Sequence, residues 1–260
     1  MHAIPIEPDS HISSIIELMR SHRSVRAFRA DPIPDAWIET VVTTGQMASS
    51  SSFRQTYSVI AVKEPDRKRE LRQWCGGQRW VEECPTFLIF CADLNRLEHI
   101  CQQRGLHVSL EVSETFLMAA IDVALFMQNA ALAAEALGLG MVMIGGVRDN
   151  PREVIRILEL PHGVFPISGM CLGFPESIPG QRPRLPLDEV LHWEHYNSEG
   201  RAERLQAYDE AIRAAEVYRR KDGTLDGWTD VMARTTSKPP AQEGRRLQRA
   251  ILQEQGFEMK

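Results

Sequence analysis

The clearest chemistry in this chain sits in five residues, His22-Arg23-Ser24-Val25-Arg26. In extended backbone alternate side chains share a face, so His22, Ser24 and Arg26 point the same way. They offer an imidazole, a hydroxyl and a planar fork of donors, a set suited to a phosphate and its attached polyol. Three other segments carry complementary groups. Ser49 to Ser52, followed by Phe53-Arg54-Gln55, sets four small hydroxyls in succession. They either satisfy local backbone groups or line a polar ligand chain while letting a flat ring approach. In Ile144-Gly145-Gly146-Val147-Arg148 the paired glycines permit unusual dihedrals and close approach, so a bare N–H can reach a ligand heteroatom. Arg182-Pro183-Arg184 stiffens two guanidinium groups, which together can neutralise a phosphate. Alone, each segment reads first as a solvated basic loop, a locally bonded polar run or an ordinary turn.

The elements that must position these groups follow from periodicity and punctuation. A short amphipathic helix near 11–21 leads into a loop near 22–30. Pro34 and Asp35 open a second helix ending near Met47. Tyr57 to Val62 alternates like a strand, and Glu64 to Trp74 is a charged helix, with a further short one at Gln78 to Glu83. Pro85 to Ala92 reads as a buried strand. Met141 to Ile144 is a short strand ending at the glycine pair. Asn150-Pro151 starts a helix through Leu160, with proline in its first turn, and Val164 to Gly173 is another strand. Pro175 to Pro186 is loop, and from Leu187 the chain is mostly helical and charged. Interleaved strands and helices predict one α+β domain: a core over 1–190, with 191–260 a helical extension packed on it.

Phe116 to Gly140 imitates a membrane span, but Asp122, Gln128, Asn129 and Glu135 interrupt it. About 25 helical residues would reach roughly 38 Å. A helix apolar nearly all round must be covered on most sides, which predicts a central helix with a sheet on one side and a second copy of the chain on the other. The chain has 260 residues, 43% hydrophobic and 25% charged, with a formal net charge of -5. That balance favours a packed globular core and neither nucleic acid nor an anionic membrane as partner. Five cysteines without a CxxC pair read as reduced thiols of a cytoplasmic protein, and no cationic leader with an apolar stretch opens the chain. His192 and His195 are spaced for a metal but lack visible companion ligands, so no metal site is expected.

Taken together, the motifs resemble the flavin-dependent nitroreductase family, in its NADPH-linked, oxygen-insensitive branch. The resemblance is carried by His22-Arg23-Ser24-x-Arg26, Ser49 to Ser52 with Phe53 and Gln55, and Gly76-Gly77-Gln78. It continues through Gly138-Leu139-Gly140, Ile144-Gly145-Gly146-x-Arg148, Cys171-Leu172-Gly173 and Arg182-Pro183-Arg184-Leu185-Pro186. It runs from about Ile15 to Trp228. About ten residues at the N-terminus have no counterpart in it.

The resemblance implies a mixed central sheet flanked by helices, in a homodimer intertwined around the long helix, with two FMN molecules at the interface. By likeness His22, Ser24, Arg182 and Arg184 hold the FMN phosphate, with Arg23 beside them. Arg26 lies at the pyrimidine edge of the ring. Ser50, Ser51 and Ser52 of the other subunit meet ribityl and ring, Gln78 lines the flavin, and within Ile144-Gly145-Gly146 the Gly146 amide points at flavin N5. It further implies ping-pong reduction of nitroaromatics, quinones or free flavin by NADPH, with no catalytic side chain beyond the cofactor. A flavin-binding, storage or sensor protein of the same fold is the alternative. Arg219, Arg220 and Lys221 resemble the basic loop that grips the adenosine 2′-phosphate. A charged helix end explains them equally well. Arg54 and Met143 depart from the family's usual residues where they would border the acceptor.

Overall fold

The computed structural model describes residues 10–108 and 111–260, and the N-terminal extension lies almost wholly outside them. The chain forms two compact units, Met1–Pro179 with Ala241–Lys260, and Gly180–Pro240.

The first unit is built on β1 (Tyr57–Val62), β2 (Thr86–Asp93), β3 (Gly140–Ile144) and β4 (Val164–Gly173), in spatial order β1-β2-β4-β3. All three strand pairings are antiparallel. Among the described residues the parallel contact is an isolated bridge from Ser24 to Met141, added to a four-stranded antiparallel sheet. Strand β2 is buried along its whole length, and period-two alternation divides its side chains between two cores. Leu88, Phe90 and Ala92 face one core; Phe87, Ile89 and Cys91 face the other.

The helices of this unit are α1 (Ser10–Arg20), α2 (Asp35–Gly45), α3 (Pro65–Trp74), α4 (Arg79–Glu83), α5 (Asn95–Gln103), α6 (Ser113–Ala136), α7 (Pro151–Ile157), and, after the excursion into the second unit, two more near the C-terminus. Helix α6 supplies Ala119, Val123, Phe126, Ala130 and Ala134 to the first core. Leu71 of α3, Val81 of α4, and Val154 and Ile157 of α7 fill the second. Helix α5 was not anticipated from the sequence; its apolar positions Leu97, Ile100 and Cys101 share one face, but the helix is short and buries no residue.

Phe126 is the keystone of the α6 face. Its ring stacks on Tyr57 at 4.5 Å and meets Phe90 edge-on at 5.6 Å. Gly45 of α2 lies against it, where a Cβ would overlap the ring.

The second unit contains a 3-10 turn, Leu187–Glu189, then α8 (Arg201–Ala214) and α9 (Trp228–Thr236). Glu189 is gripped by Arg201 and Arg204 at 3.1 and 2.5 Å, which ties that turn to α8. The chain then re-enters the first unit as α10 (Glu243–Arg246) and α11 (Gln248–Glu254). Ile251, Leu252 and Phe257 join the first core. The Lys260 carbonyl accepts the Ser113 N–H at 3.1 Å, satisfying an orphan donor at the start of α6.

Phe126→Ala is expected to cost ~3–5 kcal/mol, the usual range for removing a large buried aromatic. The shift in urea midpoint at constant m-value measures it.

Candidate functional site

The run His22 to Arg26 lies alongside β3. The Val25 N–H donates to the Met141 carbonyl at 2.8 Å, and Val25 is buried between half-buried neighbours. Gly140 makes that approach possible, because a Cβ there would lie 2.8 Å from Val25 Cγ1. His22 is held from α6: its Nδ1 lies 2.7 Å from Glu135 Oε1. With Nδ1 so engaged, the other ring nitrogen is the one left to meet a ligand.

Strand β3 runs directly into a 3-10 turn, Gly145–Arg148. The first N–H groups of any helix lack an acceptor within it. Gly146 is buried, and a Cβ on it would overlap the Cys75 carbonyl oxygen and stand 2.8 Å from Gln78 Nε2. Gln78 Nε2 itself donates to that Cys75 carbonyl at 3.1 Å. The Arg26 guanidinium sits over the Trp80 ring, 5.8 Å from its centroid, a cation–π contact that keeps the charge in place. The fold therefore brings Arg26, Gln78 and the Gly145-Gly146 pair, distant in sequence, to one end of β3. Trp80 Nε1 is buried there without a hydrogen-bond partner among the described residues.

Arg148, the last residue of the glycine motif, has a supporting task. It donates to the Ile167 carbonyl, which lies at the β4 bulge opposite Phe90 and Cys91. Burial and the neighbouring Arg245 push its ionisation downward. Cys75 is no candidate nucleophile: burial, then Asp149, push its thiol up to about 12.

The serine loop is organised differently. Ser52, Phe53 and Gln55 all have positive φ, at 49°, 56° and 53°. Such conformations are strained for residues other than glycine. They are held by Asp122 of α6, which is 1% exposed. Its Oδ1 accepts the Ser51 N–H at 2.8 Å, and its Oδ2 accepts the Thr56 N–H and hydroxyl at 3.3 and 2.8 Å. Ser50 is half-buried; Ser51 and Ser52 are exposed. Asp122 and Glu135 are thirteen residues apart on one helix, about 20 Å at ~1.5 Å per residue. Within one chain, then, the serine loop and His22 are anchored far apart.

In the second unit Arg182 and Arg184 border a cavity of about 400 Å³ with Tyr208, Ile212, Tyr218 and Trp228. Arg184 Nη1 donates to the Arg182 carbonyl at 3.3 Å, and the Tyr208 hydroxyl donates to the Pro183 carbonyl at 3.1 Å, which fixes the loop. Of the basic loop, Arg219 pairs with Glu216. Arg220 pairs at 2.6 Å with Asp226, which also meets Arg234 at 2.8 Å. The two arginines hold Asp226 down to about 2. The sequence marked Glu135 only as an interruption of an apolar helix, and it did not single out Arg245, which touches Gly145. A glutamate in an apolar helix and an arginine in a charged tail carry no local signature of a role.

The nitroreductase family profile matches residues 19–174, and that of the family's C-terminal domain matches residues 182–260. The chain belongs to the nitroreductase family. It is 37% identical over 235 residues to the FMN reductase (NADPH) of Bacillus subtilis, spanning 88% of this chain and 94% of that protein. It is 39% identical over 228 residues to the oxygen-insensitive NADPH nitroreductase of Salmonella typhimurium, spanning 87% and 92%. The solved structure of NfrA1 from B. megaterium matches with a TM-score of 0.88 at 41% identity, over 94% of this chain and 99% of that one. The family and the α+β nitroreductase fold expected from the motifs are thus both borne out.

In this nitroreductase, Asp122→Ala strands three donors and is expected to destabilise by roughly 2–4 kcal/mol, since hydrogen bonds to charged groups are each worth ~1.5–3 kcal/mol. Asp122→Asn keeps two acceptor sites and should lose less. Thermal melts of both variants, with limited proteolysis after Arg54, report stability and loop release separately.

Proposed function

We propose that this nitroreductase is an FMN-dependent oxidoreductase that uses NADPH to reduce flat, electron-poor acceptors such as nitroaromatics, quinones or free flavin. The observation that carries the reading is the locus at the end of β3, where Arg26, Gln78 and a wedged Gly146 converge. A glycine pressed onto a carbonyl, with amides of a nascent helix beside it, is a surface on which a planar ring can lie close to backbone. When bound, FMN supplies a ring that takes hydride from a nicotinamide and passes two electrons to the acceptor.

The protein's part is binding, orientation and tuning. His22, fixed by Glu135, holds the phosphate together with Ser24, with Arg23 beside them. Arg182 and Arg184 contribute two guanidinium groups suited to a phosphate. Arg26 faces the pyrimidine edge, where a fixed cation favours the anionic reduced ring. Gln78 and Ile144-Gly145-Gly146 line the ring, and the Gly146 N–H meets N5. Ser50, Ser51 and Ser52 reach ribityl and ring. Arg219, Arg220 and Lys221 receive the NADPH 2′-phosphate. No side-chain nucleophile or base is required.

The site is completed by a second copy of the chain. Leu117, Ile121 and Leu125 are 54%, 49% and 44% exposed and four residues apart, an uncovered apolar stripe on α6. Phe53 is 82% exposed beside the serine loop. A homodimer that covers this stripe lets one copy's serine loop serve the other copy's His22, which the 20 Å separation denies within one chain. The five unpaired cysteines suit a reducing, cytoplasmic setting.

Purified protein is expected to be yellow, to bleach within seconds of anaerobic NADPH addition, and to regain colour when a nitroarene is added. Yellow protein that stays oxidised would identify a flavin-binding or storage protein instead. The paired substitution Ile121→Glu with Leu125→Glu should convert the dimer to monomer in sedimentation experiments and abolish FMN retention. A monomeric wild-type chain that keeps FMN would refute the shared site.

A further inference from the structure

The C-terminal segment reaches back to the glycine pair in a way the established family membership does not account for. Arg245 of α10 donates through Nη2 to the Gly145 carbonyl at 3.0 Å and through Nε to Asp149 Oδ1 at 2.5 Å. Gly145 and Arg245 are a hundred residues apart in sequence. The contact is built, not incidental. Gly244 is buried with its backbone pressed on Asp149, where a Cβ would overlap the Asp149 carbonyl and lie 2.7 Å from Pro151 Cδ. The guanidinium therefore enters from a fixed direction. Asp149 is mostly buried too, with a side chain 12% exposed, and its own N–H donates to the Gly146 carbonyl at 2.8 Å. Both carbonyls of the glycine pair are thus engaged.

The consequence follows from peptide geometry. The Gly145 carbonyl and the Gly146 N–H belong to one planar peptide unit, here trans, and they point in opposite directions. Fixing the oxygen fixes the aim of the N–H. A cation on the oxygen also draws electron density across the amide, which makes the N–H a stronger donor. Glycine has the widest dihedral freedom of any residue, so two in succession would otherwise leave that aim loose.

We propose that Arg245 is a positioning residue that clamps and polarises the Gly145–Gly146 peptide so that the Gly146 N–H is presented to flavin N5. This rests on the FMN reading above. Arg245 does not touch the flavin in this scheme; it acts through the peptide, and Asp149 acts through Arg245.

The test compares FMN with 5-deaza-FMN, in which a C–H replaces N5 and cannot accept a hydrogen bond. Full-length protein stripped of flavin is titrated with each, following flavin fluorescence. Wild type should bind FMN at least about tenfold more tightly than the deaza analogue, one well-formed hydrogen bond being worth ~1.4 kcal/mol. Arg245→Met should weaken FMN about five- to tenfold and leave 5-deaza-FMN within about twofold. Arg245→Lys, which keeps a cationic donor, should recover part of the loss. Asp149→Asn, which loosens the guanidinium without removing it, should show the same selective pattern at smaller size and serves if Arg245→Met does not fold. Equal weakening of both flavins, or no change in either, overturns the role of Arg245 while leaving the FMN reading standing. Wild type that binds both flavins equally, or neither, removes the N5 contact itself and the inference with it.

Discussion

A carboxylate inside an apolar helix must find donors, and that constraint ties the candidate site to the fold. Helix α6 is apolar enough and long enough to pass for a membrane span, yet it carries Asp122 and Glu135 on inward positions. Burying an ionised carboxylate without partners costs far more than one domain's net stability. Asp122 takes its donors from the serine loop, and Glu135 takes His22. The helix core and the two polar segments therefore fold as one cooperative unit. The strained dihedrals at Ser52, Phe53 and Gln55 are tolerable because Asp122 holds the backbone on both sides of them. Glu135 remains half-satisfied, with Oε2 buried and unpartnered.

The second constraint is closeness. At Gly140 and Gly146 the chain brings backbone where a side chain would not fit: Val25 on one, the Cys75 carbonyl on the other. The first contact places the His22–Arg26 run beside β3. The second places Gln78 beside the end of the same strand. A five-residue strand thereby gathers two sequence-distant segments at its edge and its tip. Arg148 secures the arrangement from beneath by donating to the carbonyl of Ile167 at the β4 bulge, where the sheet's own ladder is interrupted.

These features differ in how visible they were in the amino-acid sequence. The strand Val164–Gly173 and helix α6 were legible because a predominantly apolar run has few interpretations at those lengths. The motif residues were legible because their types and order match a known family. Helix α5 was not, since its apolar stripe of Leu97, Ile100 and Cys101 covers little more than one turn. Glu135 and Arg245 were not, since each acts on a partner more than a hundred or about a hundred residues away, and nothing in a local window encodes that. Asp122 was visible as an anomaly in an apolar helix, but its partners Ser51 and Thr56 became evident only when α2 and β1 were seen packed around it. Local pattern reports what an element is; the donors a buried charge finds are a property of the assembled core.

The basic loop shows how the same reasoning alters the view of a charged patch. From sequence, Arg219, Arg220 and Lys221 look like loose cations awaiting a phosphate. In the fold Arg220 and Arg234 share one buried carboxylate, Asp226. Two guanidinium groups on one carboxylate have little freedom to move, and Asp222 and Asp230 also act on Arg220. Because Asp226 titrates at about 2, below its ordinary value, the stabilisation it brings is complete above its unfolded pKa near 3.8 and is lost only as pH falls from there toward 2. Across the neutral range the pairing is fixed and does not titrate. The Nε and one terminal nitrogen of Arg220 are both taken up by Asp226, so folding itself orders this long side chain. The arginines of a basic run in sequence are therefore, in the fold, charges neutralised by fixed partners.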